Sequence, residues 1–328
     1  MGMPDALTVV TTRGSIVEIE SRVDAVVLDA GSGSGRRHEG YGTIDQPLPL
    51  RSTAKPLQAL ALVRSGAADA AGLTPVELTL ACASHNGEDG HVEAVSSWLA
   101  RLGLGDGDLQ CGAALPYLRQ LADDYLVHGG RPTRIHHNCS GKHAGFLTLG
   151  AHLGADPARY LDRTGDVQRA ALGIVADSCG VTLDDEHIVG DGCGAPCPCV
   201  SLEALARGWA ELMTDATGPG PRIRSAITAN PWYLAGTARF DTALIEITDG
   251  RAISKVGADG MHIAMAPELG LVIATKAVDG SRIAAEEGLV HLLLRAGVLT
   301  ADEAQRLPRA AVLNDAGQVV GQIRVSPS

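Results

Sequence analysis

The stretch ALIEITDGRAISKVGADGMHIAMAPELGLVIATK, residues 243–276, decides the fold class. It divides into four short apolar runs rich in β-branched residues, 243–248, 252–256, 261–265 and 271–276. Asp249-Gly250 reads as a hairpin turn between the first pair, and Pro267 to Gly270 joins the last pair. Adjacent hairpins make antiparallel neighbours, which argues against a doubly wound parallel sheet. Outward from this stretch, strand character also marks 7–11, 16–20 and 25–29, with glycine-rich 31–42 reading as a turn or loop. Helical patterns fill the middle: one opening after Ser52 with Pro56 in its first turn, then 75–83, 90–102, 142–153, 157–163, 166–177, 201–213 and 221–228. Helices at 283–296 and 301–306 follow, and 318–325 reads as a last strand or a loose end. The expectation is a mixed α/β (α+β) fold in one compact unit. Residues 1–50 and 236–328 supply its sheet, and 51–235 form a mainly helical insertion carrying most motif loops.

Bulk composition narrows the function. The 328 residues carry a formal charge of −11, against the basic face that nucleic acid or an anionic membrane would favour. Aromatics are 3% of the chain, so Ala, Leu, Val and Ile must build the core. Met1-Gly2-Met3-Pro4-Asp5 has neither a basic start nor a long apolar segment. Seven cysteines, an odd number, fit reduced thiols. A cytoplasmic protein is expected.

Only four lysines, Lys55, Lys142, Lys255 and Lys276, stand beside 23 arginines. A desolvated lysine can lose its proton near neutral pH, whereas a guanidinium stays charged. Ser52 and Lys55 at i and i+3 share a helix face, so a neutral Lys55 could take the proton of Ser52 as it attacks a carbonyl. In Ala83-Ser84-His85-Asn86-Gly87, Ser84 could relay a proton and Asn86 could bind an amide; C-capping of the preceding helix competes with that reading. His136-His137-Asn138-Cys139-Ser140-Gly141-Lys142-His143 is the densest cluster, and Gly190-Asp191-Gly192-Cys193-Gly194 follows later. Cys139 and Cys193 with nearby histidines could bind zinc, although the spacing is not that of a zinc finger. Lys276 ends an apolar strand and is favoured for chemistry; Lys255 precedes a turn and receives no task. On this reading Lys255→Arg is tolerated and arginine at the other three is not.

Taken together, Arg51-Ser52-Thr53-Ala54-Lys55-Pro56, Ala83-Ser84-His85, Asn138 to His143, Asp191-Gly192-Cys193-Gly194, Gly236-Thr237-Ala238-Arg239-Phe240-Asp241 and Pro267-Glu268-Leu269-Gly270 resemble the asparaginase II family of the Rhizobium etli type. The resemblance implies a serine β-lactamase/glutaminase-like fold and hydrolysis of L-asparagine to L-aspartate and ammonia. It implies two Ser–Lys pairs, Ser52 with Lys55 and Ser84 with Lys276, and a zinc ion held by Cys139, Lys142 and Cys193 with Asp191 close by. Arg51, Asn86, His143 and Asp191 are the substrate-binding candidates. Cys197 and Cys199 depart from the pattern as two added thiols near Cys193. A small-molecule substrate and a homodimer are expected, without nucleic acid or membrane. Two rivals remain: a penicillin-recognising hydrolase or esterase, which lacks Lys-Thr-Gly after Lys276, and a non-enzymatic thiol-rich metal-binding protein, which leaves Ser52 and Lys55 unexplained.

Overall fold

Strand β2 (Ile16–Asp29) organises the molecule, because its 14 residues are long enough to be paired along both edges. The computed structural model describes residues 5–31 and 36–326. Among these, the strands in chain order are β1 (Leu7–Arg13), β2, β3 (Arg36–Tyr41), β4 (Leu48–Pro49), β5 (Ile188–Gly190), β6 (Pro196–Val200), β7 (Ile253–Val256), β8 (Met261–Ala266), β9 (Leu271–Ala277) and β10 (Ile323–Val325). The main sheet runs β10-β1-β2-β9-β8-β7, with β3 also paired to β2, and all of its pairings are antiparallel. On one edge of β2, β1 takes its first half and β3 takes residues 25–29; on the other edge, β9 pairs with residues 23–29. A small sheet, β4-β6-β5, ties the start of the helical region to its later part.

Side-chain alternation explains why the sheet is covered on both faces. Ala25, Val27, Ala264 and Ile273 pack with Leu289, Leu292 and Leu293 of the helix Arg282–Arg295. Val26, Leu28, Val272, Ala274, Ile263 and Met265 belong to the larger core shared with the helices of the middle region. Trp98 and Trp209, both fully buried, fill that second core where Ala and Leu alone would leave gaps.

The hairpins joining β7, β8 and β9 match expectation, but residues 243–248 are not a strand. Residues 243–247 lie in the helix Phe240–Ile247, and Thr248 is its C-cap. Phe240 and Leu244, at helical spacing, enter the sheet core, and this burial outweighs the β-propensity of Ile and Thr. Asp249-Gly250 ends that helix instead of turning a hairpin: both residues have positive φ, and Gly250 N–H donates to Ile245 O at 2.8 Å. Residues 36–41, expected in a loop, extend β2's ladder as β3, while 32–35 lie outside the described residues. The expected helix at 157–163 shrinks to one turn, Pro157–Arg159, capped by Asp156. The helix Arg119–Val127 and strands β5 and β6 carry no clear sequence signal, since β6 holds two prolines in five residues.

Candidate active site

A tight turn, Arg51–Ala54, carries Ser52 directly into the helix Lys55–Arg64. Arg51 adopts φ +49°, a conformation costly for a residue with a side chain. The turn is fixed by Thr53 Oγ1 donating to Leu50 O at 2.6 Å and by Trp209 Nε1 donating to Thr53 O at 3.1 Å. Ser52 stays partly exposed, while Lys55 is buried. Lys55 Nζ donates to Ser84 Oγ at 2.8 Å and also to Ala83 O. Among the described residues it makes no hydrogen bond to Ser52. One lysine therefore reaches the second serine from the helix that follows the first.

Capping does not account for Ser84. The helix Pro75–Ala81 is capped at Cys82, and the chain beyond it runs extended. Ser84 N–H bonds to Leu234 O at 3.0 Å, and His85 N–H to Asn138 O at 3.2 Å. His85 Nδ1 accepts from Gly87 N–H at 3.1 Å, so Nε2 carries the proton and donates to Ser140 Oγ at 3.0 Å. Burial, with His91 and Lys55 nearby, pushes the His85 pKa well below its usual value and keeps it neutral. Asn86, a substrate-binding candidate, is already fully engaged: Nδ2 donates to Glu88 and to Thr237 O, and Oδ1 accepts from Arg239, each at 3.0 Å. It clamps the 84–88 segment to the Thr237–Arg239 loop. His143 faces inward, with Nδ1 bonded to Tyr160 Oη at 2.7 Å.

The thiols converge beside this group. Lys142 Nζ donates to Cys193 Sγ at 3.0 Å, Cys193 Sγ lies 3.3 Å from Asp191 Oδ2, and Cys139 Sγ, near Cys193, donates to Asn138 Oδ1 at 3.0 Å. The contact with Cys193, aided by Lys55 and Lys142, pushes the Cys139 pKa far down despite burial; the same contact and burial push Cys193 up. Burial would lower the Lys142 pKa, but Cys139, Cys193 and Asp191 outweigh it and hold the ammonium. Arg51 bridges the two carboxylates at the rim, with Nε 2.8 Å from Asp191 Oδ1 and a second bond to Asp259. Cys197 Sγ accepts from Arg51 N–H at 3.3 Å and helps fix the strained turn; its thiol is pushed up to about 11 by burial. Thiols and an amine are residue types that zinc accepts, with the lysine required to bind as its neutral amine. Among the described His, Cys, Asp and Glu residues, the group whose ligand atoms lie close enough to share an ion is Asp184, Glu186 and His187, whose two acids are exposed.

Lys276 is not paired with Ser84. Its ammonium donates to Asp259 O and, at 2.7 Å, to Ala277 O, and it is partly exposed at the rim. Lys255, which sequence reasoning left idle, is buried where Lys276 is not. Lys255 on edge strand β7 has 0% exposure, lies 3.6 Å from Asp241 and feels the charges of Lys55 and Cys139. Gly257, two residues on, approaches the Ser52 turn so closely that a Cβ there would meet Thr53 Cγ2 at 3.1 Å. The missed signal was Lys255-Val256-Gly257, a close variant of the Lys-Thr-Gly sought after Lys276.

The sequence profile of L-asparaginase II matches residues 9–325. This chain belongs to the L-asparaginase II family. No curated protein matches it in sequence. Among solved structures it is similar to a β-lactamase from Mycobacterium bovis, at 15% identity and TM-score 0.43, over 84% of this chain and 95% of that one. A class C β-lactamase from Rhodobacter sphaeroides gives 14% and 0.43, over 83% and 94%. A β-lactamase/D-alanine carboxypeptidase from Pseudomonas syringae gives 10% and 0.42, over 84% and 93%. Within this family member, Ser52, Lys55, Ser84 and Lys255 lie where the helical region meets the sheet edge, and no described helix is long and apolar enough to cross a membrane.

Proposed function

We propose that this member of the L-asparaginase II family hydrolyses L-asparagine to L-aspartate and ammonia through an acyl-enzyme. The buried Lys55 Nζ–Ser84 Oγ contact at 2.8 Å, one turn from Ser52, carries the reading. Ser52, partly exposed on its strained turn, attacks the side-chain amide carbon. Lys55 in its amine form takes the hydroxyl proton, and Ser84 passes a proton towards the departing ammonia. Water then attacks the ester, the same groups run in reverse, and aspartate leaves. Lys255 contributes positive charge beside the reacting centre, and Lys276, expected to relay protons with Ser84, takes no step. Arg51, with Asp191, stands at the rim where a charged amino-acid backbone would enter.

Cys139, Lys142 and Cys193 would hold a zinc ion, which would supply Lewis acidity for orienting the substrate's amino or carboxylate group. A cytoplasmic homodimer is part of the same proposal and is tested by sedimentation.

Ammonia release is measured with L-asparagine, D-asparagine and L-glutamine, with and without a chelator. L-Asparagine should be the preferred substrate, chelation should slow its turnover, and Ser52→Ala should lose at least ~10³-fold in kcat. In a slow variant, peptide mass mapping should find the acyl adduct on Ser52; an adduct on Ser84 would overturn the nucleophile assignment. Faster turnover of a chromogenic β-lactam than of every amide would favour the penicillin-recognising alternative.

A further inference from the structure

Asp241 is the second residue of the helix Phe240–Ile247 and is 1% exposed. Its carboxylate accepts three hydrogen bonds and pairs with Lys255, whose Nζ itself donates to Val256 O at 3.0 Å. Oδ1 accepts from Ser254 Oγ at 2.7 Å and from His262 Nε2 at 3.0 Å. Oδ2 accepts from Val256 N–H at 2.9 Å and lies 3.6 Å from Lys255 Nζ. Because β7 is the last strand of the sheet, its outward N–H groups have no neighbouring strand, and the carboxylate satisfies one of them. An ionised Asp241 has no proton to give, so His262 must carry its own on Nε2. Its Nδ1 is buried and has no hydrogen-bond partner among the described residues. An orphaned buried nitrogen is unfavourable, and here it is retained in order to hold a carboxylate against a lysine.

We propose that Asp241, held in place by His262, is a positioning residue for the amide hydrolysis, fixing Lys255 Nζ and its charge beside the Ser52, Lys55 and Ser84 group. The proposal rests on the amidohydrolase reading above. Asp241 does not touch the serines; it acts through Lys255.

The groups facing Lys255 come from four elements. Asp241 comes from the helix Phe240–Ile247, Arg239 from the loop before it, Lys55 from the helix Lys55–Arg64 and Cys139 from the turn before the helix Ser140–Leu153. Burial, Lys55 and Arg239 push the lysine down and the charges of Asp241 and Cys139 pull it up, leaving it at about 7. Neutralising Asp241 removes the largest charge that favours the ammonium. Whichever limb of the rate profile Lys255 controls must therefore move to lower pH.

A double-mutant cycle tests this, using wild type, Asp241→Asn, Lys255→Met and the double variant. Ammonia release from L-asparagine and nitrophenolate release from p-nitrophenyl acetate are both followed across pH. Each single variant should lose ~100-fold or more in kcat with KM within ~3-fold, and the double variant should be no slower than Lys255→Met alone. Asp241→Asn should also move the limb near neutrality down by ~1 pH unit or more. Losses that simply add, or an unmoved profile in Asp241→Asn, overturn the proposal. If Asp241→Asn fails to fold, Lys255→Met is compared with the double variant, which buries neither charge; a further ~10-fold loss in the double variant overturns it as well. Turnover of the ester without ammonia from asparagine sinks the substrate assignment, while the cycle on the ester still decides the role of Asp241. A wild-type chain inert towards both overturns the two together.

Discussion

Lys255 and Lys276 exchange the places that residue-by-residue reading gave them. Lys255 has no exposed surface and a single carboxylate beside it, so the wider, planar guanidinium of arginine would overpack its cavity. Lys276 sits at the rim, donating to two carbonyl oxygens, a task that guanidinium can also perform. The expectation that arginine is tolerated at 255 and not at 276 is therefore reversed. Lys255→Arg should cost ~1–3 kcal/mol in urea unfolding and most of the amidase activity. Lys276→Arg should stay within ~3-fold of wild type. Equal losses in both would show that the rim lysine also works at the reacting centre. The scarcity of lysine was legible in the sequence and pointed to removable protons. Which lysine meets which serine was not, because Lys55 and Ser84 are 29 residues apart and their bond depends on how two helices cross.

At the level of elements, the site depends on one close crossing. The helix Ser140–Leu153 brings Ser140 and Lys142 inward, and it passes the helix Pro75–Ala81 at Gly141. A Cβ on Gly141 would lie 2.4 Å from Leu80 O, so the two backbones can approach this closely only with glycine there. Gly141→Ala should lower stability by at least ~2 kcal/mol in urea and should also reduce amidase activity, by moving Lys142 away from Cys193. An unchanged midpoint would mean that the helices can part at little cost. Most helices in the middle of the chain were legible from apolar spacing and caps. Phe240–Ile247 was not, because its Ile and Thr content matches a strand and only burial of Phe240 and Leu244 against the sheet selects the helix.

Over the whole molecule, the two ends of the described chain close one sheet. β10 pairs with β1 through Val9↔Val325, Val10↔Arg324 and Thr11↔Ile323, and Ser326 N–H bonds to Thr8 O at 2.7 Å. This edge lies across the sheet from β7 and Lys255. Arg324→Pro removes a ladder donor there and should cost ~1–2 kcal/mol, lowering Tm by ~2–6 °C. Amidase activity at 25 °C should remain, since the proposed catalytic groups lie at the opposite edge; its loss would show that the sheet transmits the damage.

Local sequence was enough to specify the antiparallel hairpins, most helices, the L-asparaginase II family and the residue types at the site. These follow from period, turn chemistry and short motifs, all of which act over a few residues. Tertiary structure alone decided that Lys55 reaches Ser84, that Lys255 is buried while Lys276 is not, and that Asn86 and His143 are bound up in internal contacts. The physical reason is desolvation. A lysine's chemistry depends on which charges and how much water surround it, and those are set by segments far apart in the chain.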